Sequence, residues 1–358
     1  MQVAKSDVDA YRRQGAKGLV LLLWLGFLLA APGYVYDKEK TPTKAEITWP
    51  PAPQTPRIRF IDEFSSPKDL GTKRPMFKRL WKKIIGVDDR EPGILQPYGV
   101  VTDSLGRIIV TDTKLRSLHI FDRQSRKYST IQPPKGETFV SPIGLAVDGE
   151  DTIYLSDSYT GKIFAFDKSG KFKSKIGEKE GLFKRPTGLA INKNLQRLYI
   201  VDTLKNEVVV YDLQGHEQFR FGRRGVGKGE FNYPTHICLD RQGRIYITDA
   251  LNARIQIFDE HGNFLSLFGR LGNGSGDLDK PKGVAVDSEG HVYVVEGLHD
   301  VVQVFDARGT FLLSFGETGS SAGHFYLPSS IYIDDHDFVY VADSYNRRVQ
   351  IFKYLRPV

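Results

Sequence analysis

Residues 280–316 have the sequence KPKGVAVDSEGHVYVVEGLHDVVQVFDARGTFLLSFG, and the chain from residue 96 onward repeats its pattern. A proline opens an apolar run, a second segment ends in an acid, a third ends in an aromatic residue, and a fourth lies between glycines seven residues apart. Alternating apolar and polar residues between turn residues predict β-strands. The opening run recurs six times, with its prolines 44 to 48 residues apart: QPYGVVTD (96–103), SPIGLAVD (141–148), RPTGLAIN (185–192), YPTHICLD (233–240), KPKGVAVD (280–287) and LPSSIYID (327–334).

The repeat predicts a closed ring of sheets. Each unit contains the residues for about four strands, and a sheet of this size cannot bury both of its faces alone, so neighbouring sheets must stack face to face. Six twisted, four-stranded antiparallel sheets that close radially form a six-bladed β-propeller, which leaves only short, protected sheet edges. The 22 Phe, 17 Tyr and 2 Met of the chain also favour an all-β fold.

The last unit ends with FKYLRPV before a fourth strand, whereas RIRFIDEF at 57–64 alternates like a strand and belongs to no unit. We therefore expect residues 57–66 to provide the missing outer strand of the last blade. Residues 67–95 then form an insertion, and residues 96–358 form the six blades.

The units resemble NHL repeats, in which P-x-G-[VLI]-A-V-D is followed by [IV]-Y-[VIL]-x-D and N-x-R-[VI]-Q-[IV]-F. The closest copies are DALNARIQIFD (249–259) and DSYNRRVQIFK (343–353), whereas blades one and five depart from the pattern. The resemblance implies a six-bladed propeller, with the loops between blades and the loops between second and third strands around one mouth of the channel. It implies no particular reaction. The whole layout also looks like that of exported bacterial NHL-repeat proteins of unassigned role.

The N-terminal segment has the pattern of an export signal. Residues 18–36 lack charge, and the apolar run LVLLLWLGFLLAA (19–31) follows two arginines and a lysine. A cleaved signal peptide and a retained membrane anchor within residues 1–33 both fit this pattern. The preceding cations predict that the N-terminus stays in the cytoplasm. The propeller is then extracytoplasmic, in the periplasm or at the cell surface, and is either secreted or anchored to the membrane by residues 18–36.

Two further segments precede the blades. Residues 34–56 are rich in proline, including WPPAPQTP, and we expect an extended tether. Pro75 precedes MFKRLWKKII (76–85), in which apolar and basic residues recur with a helical period. This short amphipathic helix either covers one surface of the propeller or contacts anionic lipid or a partner groove. The contacting side chains would be Phe77, Leu80, Trp81 and Ile84.

The charge is concentrated near the N-terminus. Residues 1–95 contain 17 Lys and Arg against 11 Asp and Glu, whereas residues 96–358 contain 33 against 32. Affinity for nucleic acid grows with the number of phosphates neutralised, so a nearly neutral ring argues against such a partner. The single cysteine, Cys238, excludes disulfide frameworks and CxxC sites. Its place in ICLD predicts a small buried apolar role.

Acids end the second strands of all six units, at Asp112, Asp157, Asp202, Asp249, Glu296 and Asp343. Three of them have a cation five residues later, which predicts an ion pair across the short loop. These pairs are Asp157 with Lys162, Asp249 with Arg254 and Asp343 with Arg348. A ring of metal-binding acids is the alternative, but each acid belongs to a different blade.

Two glycine-rich loops, GVGKG (225–229) and GNGSG (272–276), have spacings like those of phosphate-binding loops. A phosphate site needs a helix N-terminus after the loop, and here a strand follows, so we expect connections between blades. The D-x-x-G turns, such as 240–243, are interpreted as hairpins, because Asp accepts local backbone hydrogen bonds and Gly adopts positive φ. Bound calcium is the alternative there.

Three histidines define a candidate metal site. His236 replaces the glycine of P-x-G in blade four, where a side chain would point near the channel, and His299 and His324 lie on the same predicted face. Imidazoles suit a catalytic zinc ion with three ligands and one open position. This hypothesis resembles the zinc-dependent amidating lyases built on NHL repeats. Ordinary polar loop histidines, with no cofactor, are the alternative.

The same face is predicted to be the ligand-binding face. Cations and aromatic rings mixed on one surface suit an anionic or sugar-like polymer, or a protein with acidic patches. The residues expected there, beside His236, are Lys114, Arg116, Lys205, Arg223, Arg224, Lys228, Arg347, Tyr159 and Tyr345.

These observations predict an extracytoplasmic propeller for binding or scaffolding, more an interaction module than an enzyme. Its loop face would bind a protein or an extracellular polymer, and the N-terminal segment would contact the membrane. One alternative is a metal-dependent lyase or hydrolase at the channel mouth. Another is a structural component of a secreted or electron-transfer assembly. Acids converging on imidazoles in the channel would favour the enzyme, and a broad loop surface would favour binding.

Overall fold

A computed structural model describes residues 46–71, 93–177 and 181–356. Blades one to five are antiparallel sheets of four strands, and in each blade the first strand lies innermost. The strands of blades one and two are β3 (Pro97–Thr102), β4 (Ile108–Asp112), β5 (Ser117–Asp122), β6 (Lys127–Ile131), β7 (Pro142–Val147), β8 (Ile153–Asp157), β9 (Lys162–Phe166) and β10 (Phe172–Ile176).

Blades three to five repeat this arrangement. Their strands are β11 (Pro186–Asn192), β12 (Arg197–Asp202), β13 (Glu207–Asp212), β14 (Glu217–Phe221), β15 (Pro234–Leu239), β16 (Ile245–Asp249), β17 (Arg254–Phe258), β18 (Phe264–Phe268), β19 (Pro281–Val286), β20 (Val292–Glu296), β21 (Val301–Phe305) and β22 (Phe311–Phe315). A short 3-10 helix, Ala250–Asn252, precedes β17.

Blade six contains strands from both ends of the chain. Its inner strands are β23 (Ser330–Ile333), β24 (Phe338–Asp343) and β25 (Arg348–Tyr354), and its outer strands are β2 (Ile58–Phe64) and β1 (Thr48–Trp49). The pairing of β2 with β25 is antiparallel, from Ile58 opposite Tyr354 to Phe64 opposite Val349. A second 3-10 helix, Pro67–Leu70, follows β2.

The blades form a closed ring. The innermost strands contact one another in the order β3, β7, β11, β15, β19 and β23, and β23 also contacts β3. The all-β class, the six four-stranded blades and the closure of the last blade by an N-terminal strand are therefore confirmed.

The described end of the segment expected to be a tether packs against blade six. Residues 46–56 contain β1, and the Trp49 ring lies 5.7 Å from the rings of both Phe315 and Phe352. These contacts of the half-buried Trp49 ring hold β1 against blade six. The export segment and the amphipathic helix with Phe77, Leu80, Trp81 and Ile84 lie outside the described residues. None of the helices found in the described part of the chain is long and apolar enough to cross a membrane.

The core consists of six clusters of buried apolar side chains, one between each pair of neighbouring blades. Third-strand aromatic residues such as Phe121, Phe258 and Phe352 are almost fully buried there. Because each blade buries its two faces against its neighbours, the repeated alternation of the sequence produces a ring and not six separate sheets.

The glycine of the P-x-G run permits close approach of neighbouring inner strands. A Cβ atom on Gly283 would lie 2.6 Å from the backbone nitrogen of Ile331, and one on Gly188 would lie 2.8 Å from the carbonyl oxygen of Thr235. Both distances are too short for a side chain. The glycines therefore set the spacing of the blades around the channel, and His236 stands at the equivalent position in blade four.

We predict that the closing strand stabilises the whole ring. Ile58 in β2 is 1% exposed, whereas Ile61 in the same strand is 39% exposed. Ile58→Ala should lower the free energy of unfolding by about 3 kcal/mol, because it leaves a cavity in the cluster between blades five and six. Ile61→Ala, the matched control, should lower it by less than about 1 kcal/mol. Urea unfolding measures both, and equal effects would contradict the role of β2.

Candidate functional site

Buried carboxylates organise one face of the ring, which we call the loop face. It consists of the loops between second and third strands and the loops between blades. All six acids that end the second strands are fully buried. The carboxylate of Asp112, for example, accepts hydrogen bonds from the backbone N–H groups of Leu95 at 2.6 Å and Lys114 at 2.9 Å. One group thus joins an inter-blade loop to a loop within the blade.

Hydrogen bonding keeps the Asp112 carboxylate ionised. Burial alone would raise its pKa, but the His119 imidazole, whose Nε2 lies 3.6 Å from Asp112 Oδ2, and hydrogen bonds from the backbone N–H groups of Leu115, Leu95 and Gln96 lower the pKa below the usual value. The other five acids also accept hydrogen bonds from backbone N–H groups, so the acids are structural, as the sequence predicted. The contacts with backbone N–H groups could not be predicted from spacing alone, because they cross to loops about 17 residues away.

Two of the three predicted ion pairs are confirmed. Arg254 Nε lies 2.8 Å from Asp249 Oδ2, and Arg348 Nε lies 2.8 Å from Asp343 Oδ2. The third prediction is wrong, because Lys162 Nζ lies 2.7 Å from Glu137 Oε2. The loop before blade two supplies this glutamate, which the spacing within blade two did not reveal.

His236 and Tyr98 meet in the channel near the loop face. The two residues come from blades four and one, which are opposite in the ring, and their rings stack with centroids 5.9 Å apart and planes at 9°. His236 Nε2 is buried and has no hydrogen-bond partner among the described residues. Burial, with Lys282 nearby, lowers the pKa of His236 to about 3, so the imidazole is neutral near pH 7.

The predicted zinc ligands do not converge. His299 is exposed, and His324 Nε2 lies 3.2 Å from Glu317 Oε1, away from the buried His236. In the described ranges, no group of three or more His, Cys, Asp or Glu side chains is arranged to hold a metal ion. His236 lies in the inner strand β15, whereas His299 and His324 lie on two different loops. The spacing of the repeat does not give the distance of each residue from the channel axis.

Three of the predicted cationic and aromatic residues meet at one site. Lys114, Tyr345 and Arg347 line a cavity of about 260 Å³ between blades six and one, together with Gln96 and Ser344. The Tyr345 ring also contacts the Tyr326 ring, with centroids 5.5 Å apart. This cavity offers two cations and an aromatic ring to a ligand on the loop face.

The other predicted residues are spread around the face. Arg223 Nη2 lies 2.9 Å from Glu230 Oε1, and Lys205 Nζ donates a 2.7 Å hydrogen bond to the carbonyl oxygen of Leu182. Lys228 Nζ lies 5.9 Å from the centroid of the Phe264 ring in the outer strand of blade four. The remaining members are exposed: Arg116, Tyr159 and Arg224.

A ring of exposed apolar side chains surrounds the loop face, and the sequence analysis identified only its two tyrosines. In blades two to six the residue two positions after the buried acid is a tyrosine or leucine, exposed by between 48% and 77%. We call these residues the apolar ring: Tyr159, Leu204, Leu251, Leu298 and Tyr345. Blade one has Lys114 at this position. The three leucines were not predicted, although they occupy the same position of the repeat as the two tyrosines.

Cys238 lies on the wall of the central channel. It is half-buried and packs against the cluster between blades four and five. Burial raises the pKa of its thiol. Cys238 therefore packs among apolar side chains, as predicted, and also lines the channel.

Comparison with known families agrees with the architecture. Residues 135–220 and 178–244 match the DUF5128 family, described as a 6-bladed beta-propeller, and residues 231–258 and 325–352 match the NHL repeat. The chain is thus a six-bladed β-propeller that contains NHL repeats. Protein brain tumor of Drosophila melanogaster is 30% identical over 131 residues, which are 36% of this chain and 12% of that protein.

Solved structures share the fold at low sequence identity. Virginiamycin B lyase from Staphylococcus aureus is 14% identical with a TM-score of 0.55, covering 73% of this chain and 96% of that one. An auxiliary nutrient binding protein from Bacteroides thetaiotaomicron is 13% identical with a TM-score of 0.59, covering 74% and 71%. A gluconolactonase from Xanthomonas campestris is 14% identical with a TM-score of 0.57, covering 73% and 87%. These similarities establish the fold alone.

The buried imidazole predicts a pH dependence of stability. The unfolded chain binds a proton at His236 below about pH 6.5, whereas the folded chain binds it only near pH 3. Between these values the proton favours the unfolded state, so the free energy of unfolding decreases as the pH falls. From pH 7.5 to pH 5, the native protein should lose about 2 kcal/mol more stability than His236→Gln. Urea unfolding at the two pH values measures this difference, with His299→Gln as the control for loss of one imidazole. The same loss in His236→Gln would contradict the assignment.

Proposed function

We propose that the protein is a binding propeller whose loop face docks a protein partner. The apolar ring carries this proposal. Exposed apolar side chains scattered singly are common on protein surfaces, but here they recur at one register position in five blades and therefore lie on one face. Burial of such side chains is the main driving force of protein association.

The loops beneath the apolar ring are held in place before a partner binds. Arg254 Nη1 donates to the carbonyl oxygen of Val226 at 2.8 Å, and Arg348 Nη2 donates to that of His324 at 2.8 Å. Both guanidinium groups are also bonded to a buried acid. A preorganised surface loses little conformational entropy on binding, which favours affinity.

The charge of the face indicates the chemistry of the partner. Lys114 and Arg347 lie in the cavity between blades six and one, and Arg116 and Arg224 are exposed elsewhere on this face. Arginine and tyrosine are enriched at protein interfaces, and cations at the rim favour an acidic partner. The partner is thus a protein with apolar side chains flanked by carboxylates. The export pattern of the N-terminal segment supports an extracytoplasmic site for this interaction.

Site-specific crosslinking tests the proposal. A photoreactive amino acid at Leu251 or Leu298 in the apolar ring should crosslink a discrete partner in intact source cells. The same amino acid at Leu105 or Leu195, which are also exposed but lie in turns on the opposite face, should not. Fractionation of the same cells shows whether the complex is extracytoplasmic.

Substitutions then test which side chains bind. Tyr159→Ser combined with Leu251→Ser should reduce crosslinking from Leu298 by about tenfold or more, because interface anchors contribute 1 kcal/mol or more each. Leu105→Ser combined with Leu195→Ser is the matched control and should have no effect. Equal crosslinking from both faces, or none from the apolar ring, would contradict the proposal.

A further inference from the structure

The cavity of about 260 Å³ between blades six and one is large enough for a small molecule. A cavity of about 150 Å³ accepts one benzene ring, so this larger one has room for a six-membered ring with its substituents. The lining combines polar and charged side chains with one aromatic ring and one leucine: Leu95, Gln96, Lys114, Ser344, Tyr345 and Arg347. A ligand that fills the cavity must therefore carry charge and hydrogen-bonding groups.

Hydrogen bonds join the two sides of the cavity. Ser344 Oγ of blade six donates to the carbonyl oxygen of Pro97 in blade one at 2.6 Å. Ser329 Oγ of blade six donates to the carbonyl oxygen of Tyr98 in blade one at 2.9 Å. The cavity is thus formed before a ligand binds, which lowers the entropy cost of binding.

The two cations of the cavity have no counter-ion in the described chain. The side chains of Lys114 and Arg347 are exposed, and neither forms a hydrogen bond or an ion pair with a described residue. None of the described residues that line the cavity is an acid. The acids that end the neighbouring second strands, Asp112 and Asp343, are fully buried and accept hydrogen bonds within their own loops. The cavity therefore favours an anionic ligand.

Both cations depart from the pattern of the repeat. Lys114 occupies the position of the apolar ring, where the other five blades have leucine or tyrosine. Arg347 lies four residues after the acid, at a position where the backbone has a positive φ in every blade. The residues at this position are Arg116, Gly161, Asn206, Ala253, Asp300 and Arg347. Its two arginines belong to blades one and six, the blades that border the cavity.

Arg347 is unfavourable for the stability of its own loop. Its φ of 58° lies in the left-handed region, which residues other than glycine, asparagine and aspartate rarely adopt. In blade three the equivalent Asn206 compensates, because its Oδ1 atom accepts a 2.9 Å hydrogen bond from the backbone N–H of Tyr233. Asp300 does the same in blade five. A strained arginine whose side chain bonds to no described residue, at the edge of a cavity, indicates a role in binding.

The remaining polar groups indicate a ligand with hydroxyl groups. The amide of Gln96 and the hydroxyl group of Tyr345 form no hydrogen bond with a described residue. An amide and a phenol both donate and accept, as sugar hydroxyl groups do. The Tyr345 ring is held by its edge contact with Tyr326, at 5.5 Å and 79°, and offers an apolar face to the C–H groups of a sugar ring. A single protein carboxylate would use the cations but leave the amide and the phenol unpaired.

We propose that this cavity binds an acidic sugar, a six-membered sugar ring with one anionic substituent. The anionic group lies beside Lys114 and Arg347, the ring lies on Tyr345, and hydroxyl groups bond to Gln96. The isolated protein binds this ligand without a protein partner. A docked partner would cover the cavity and compete for its two cations.

Titration of the purified full-length protein tests the class of ligand. Glucuronate should bind once per chain, measured by broadening of its NMR signals. Glucose, which has the same ring without the anionic group, and the cationic glucosamine should bind at least tenfold more weakly. Because the two cations are exposed, affinity for glucuronate should fall between about 50 mM and about 500 mM NaCl. Glucose 6-phosphate in the same assay shows whether the site prefers a carboxylate or a phosphate.

Variants locate the ligand. Lys114→Gln, Arg347→Asn and Tyr345→Ser should each weaken glucuronate binding about tenfold. Lys193→Gln, which removes an exposed cation on the opposite face, is the control and should leave binding unchanged. Arg347→Asn should also raise the melting temperature by about 1–2 °C, because asparagine adopts this backbone conformation more readily. An arginine with a purely structural role would give a lower melting temperature instead.

Three results would overturn the proposal. One is that neither glucuronate nor glucose 6-phosphate binds more tightly than glucose. Another is glucuronate binding that both Lys114→Gln and Arg347→Asn leave unchanged. The third is equal affinity for N-acetylglutamate, a carboxylate without a sugar ring, which would assign the cavity to acidic side chains of the docked protein. Crosslinking from the apolar ring without glucuronate binding would refute the sugar site alone, and glucuronate binding without crosslinking would refute the docking proposal alone.

Discussion

The ring depends on the antiparallel pairing of Ile58–Phe64 with Arg348–Tyr354, which brings the two ends of the described chain into one sheet. Without β2, blade six would expose the edge of β25 and lose Ile58 from the cluster between blades five and six. Nearly the whole described sequence lies between β2 and β25, so their pairing closes a very long loop and costs entropy. This cost is offset only when all six inter-blade clusters form together. Ring closure and core formation are therefore one cooperative event.

Arg348 connects this closure to the loop face. Its Nη1 atom donates to Glu63 of β2 at 2.7 Å, its Nε atom to the buried Asp343 at 2.8 Å, and its Nη2 atom to the carbonyl oxygen of His324 at 2.8 Å. One guanidinium group thus joins the closing strand, the acid of the second strand and the inter-blade loop. Arg254 has the equivalent role in blade four, except that no N-terminal strand is involved there. In blade six, the same guanidinium group therefore holds both the closing strand and an inter-blade loop that we propose to bind a partner.

Features that follow from the local period of the sequence, such as the strands and blades, were predictable. Contacts between residues of different blades were not, because they depend on where each residue lies around the ring. Alternation within strands and the recurring prolines predicted the blades, and the unmatched RIRFIDEF segment predicted the closing strand. The pair of Asp249 with Arg254 was predictable because both residues flank one short loop, whereas Lys162 pairs with Glu137 of an inter-blade loop. The stacking of Tyr98 on His236 joins opposite blades, and no spacing along the chain indicates it. The apolar ring was readable from the register, since its members follow each acid by two residues.

Hydrogen exchange of backbone amides tests the closed ring most directly. We predict that the hydrogen-bonded amides of residues 58–64 and 348–354 exchange as slowly as those of the inner strand Pro186–Asn192, because all three strands become exposed only when the whole ring unfolds. Exchange of residues 58–64 within seconds, while residues 186–192 remain protected, would show that the N-terminal strand is not part of the ring and would contradict the account.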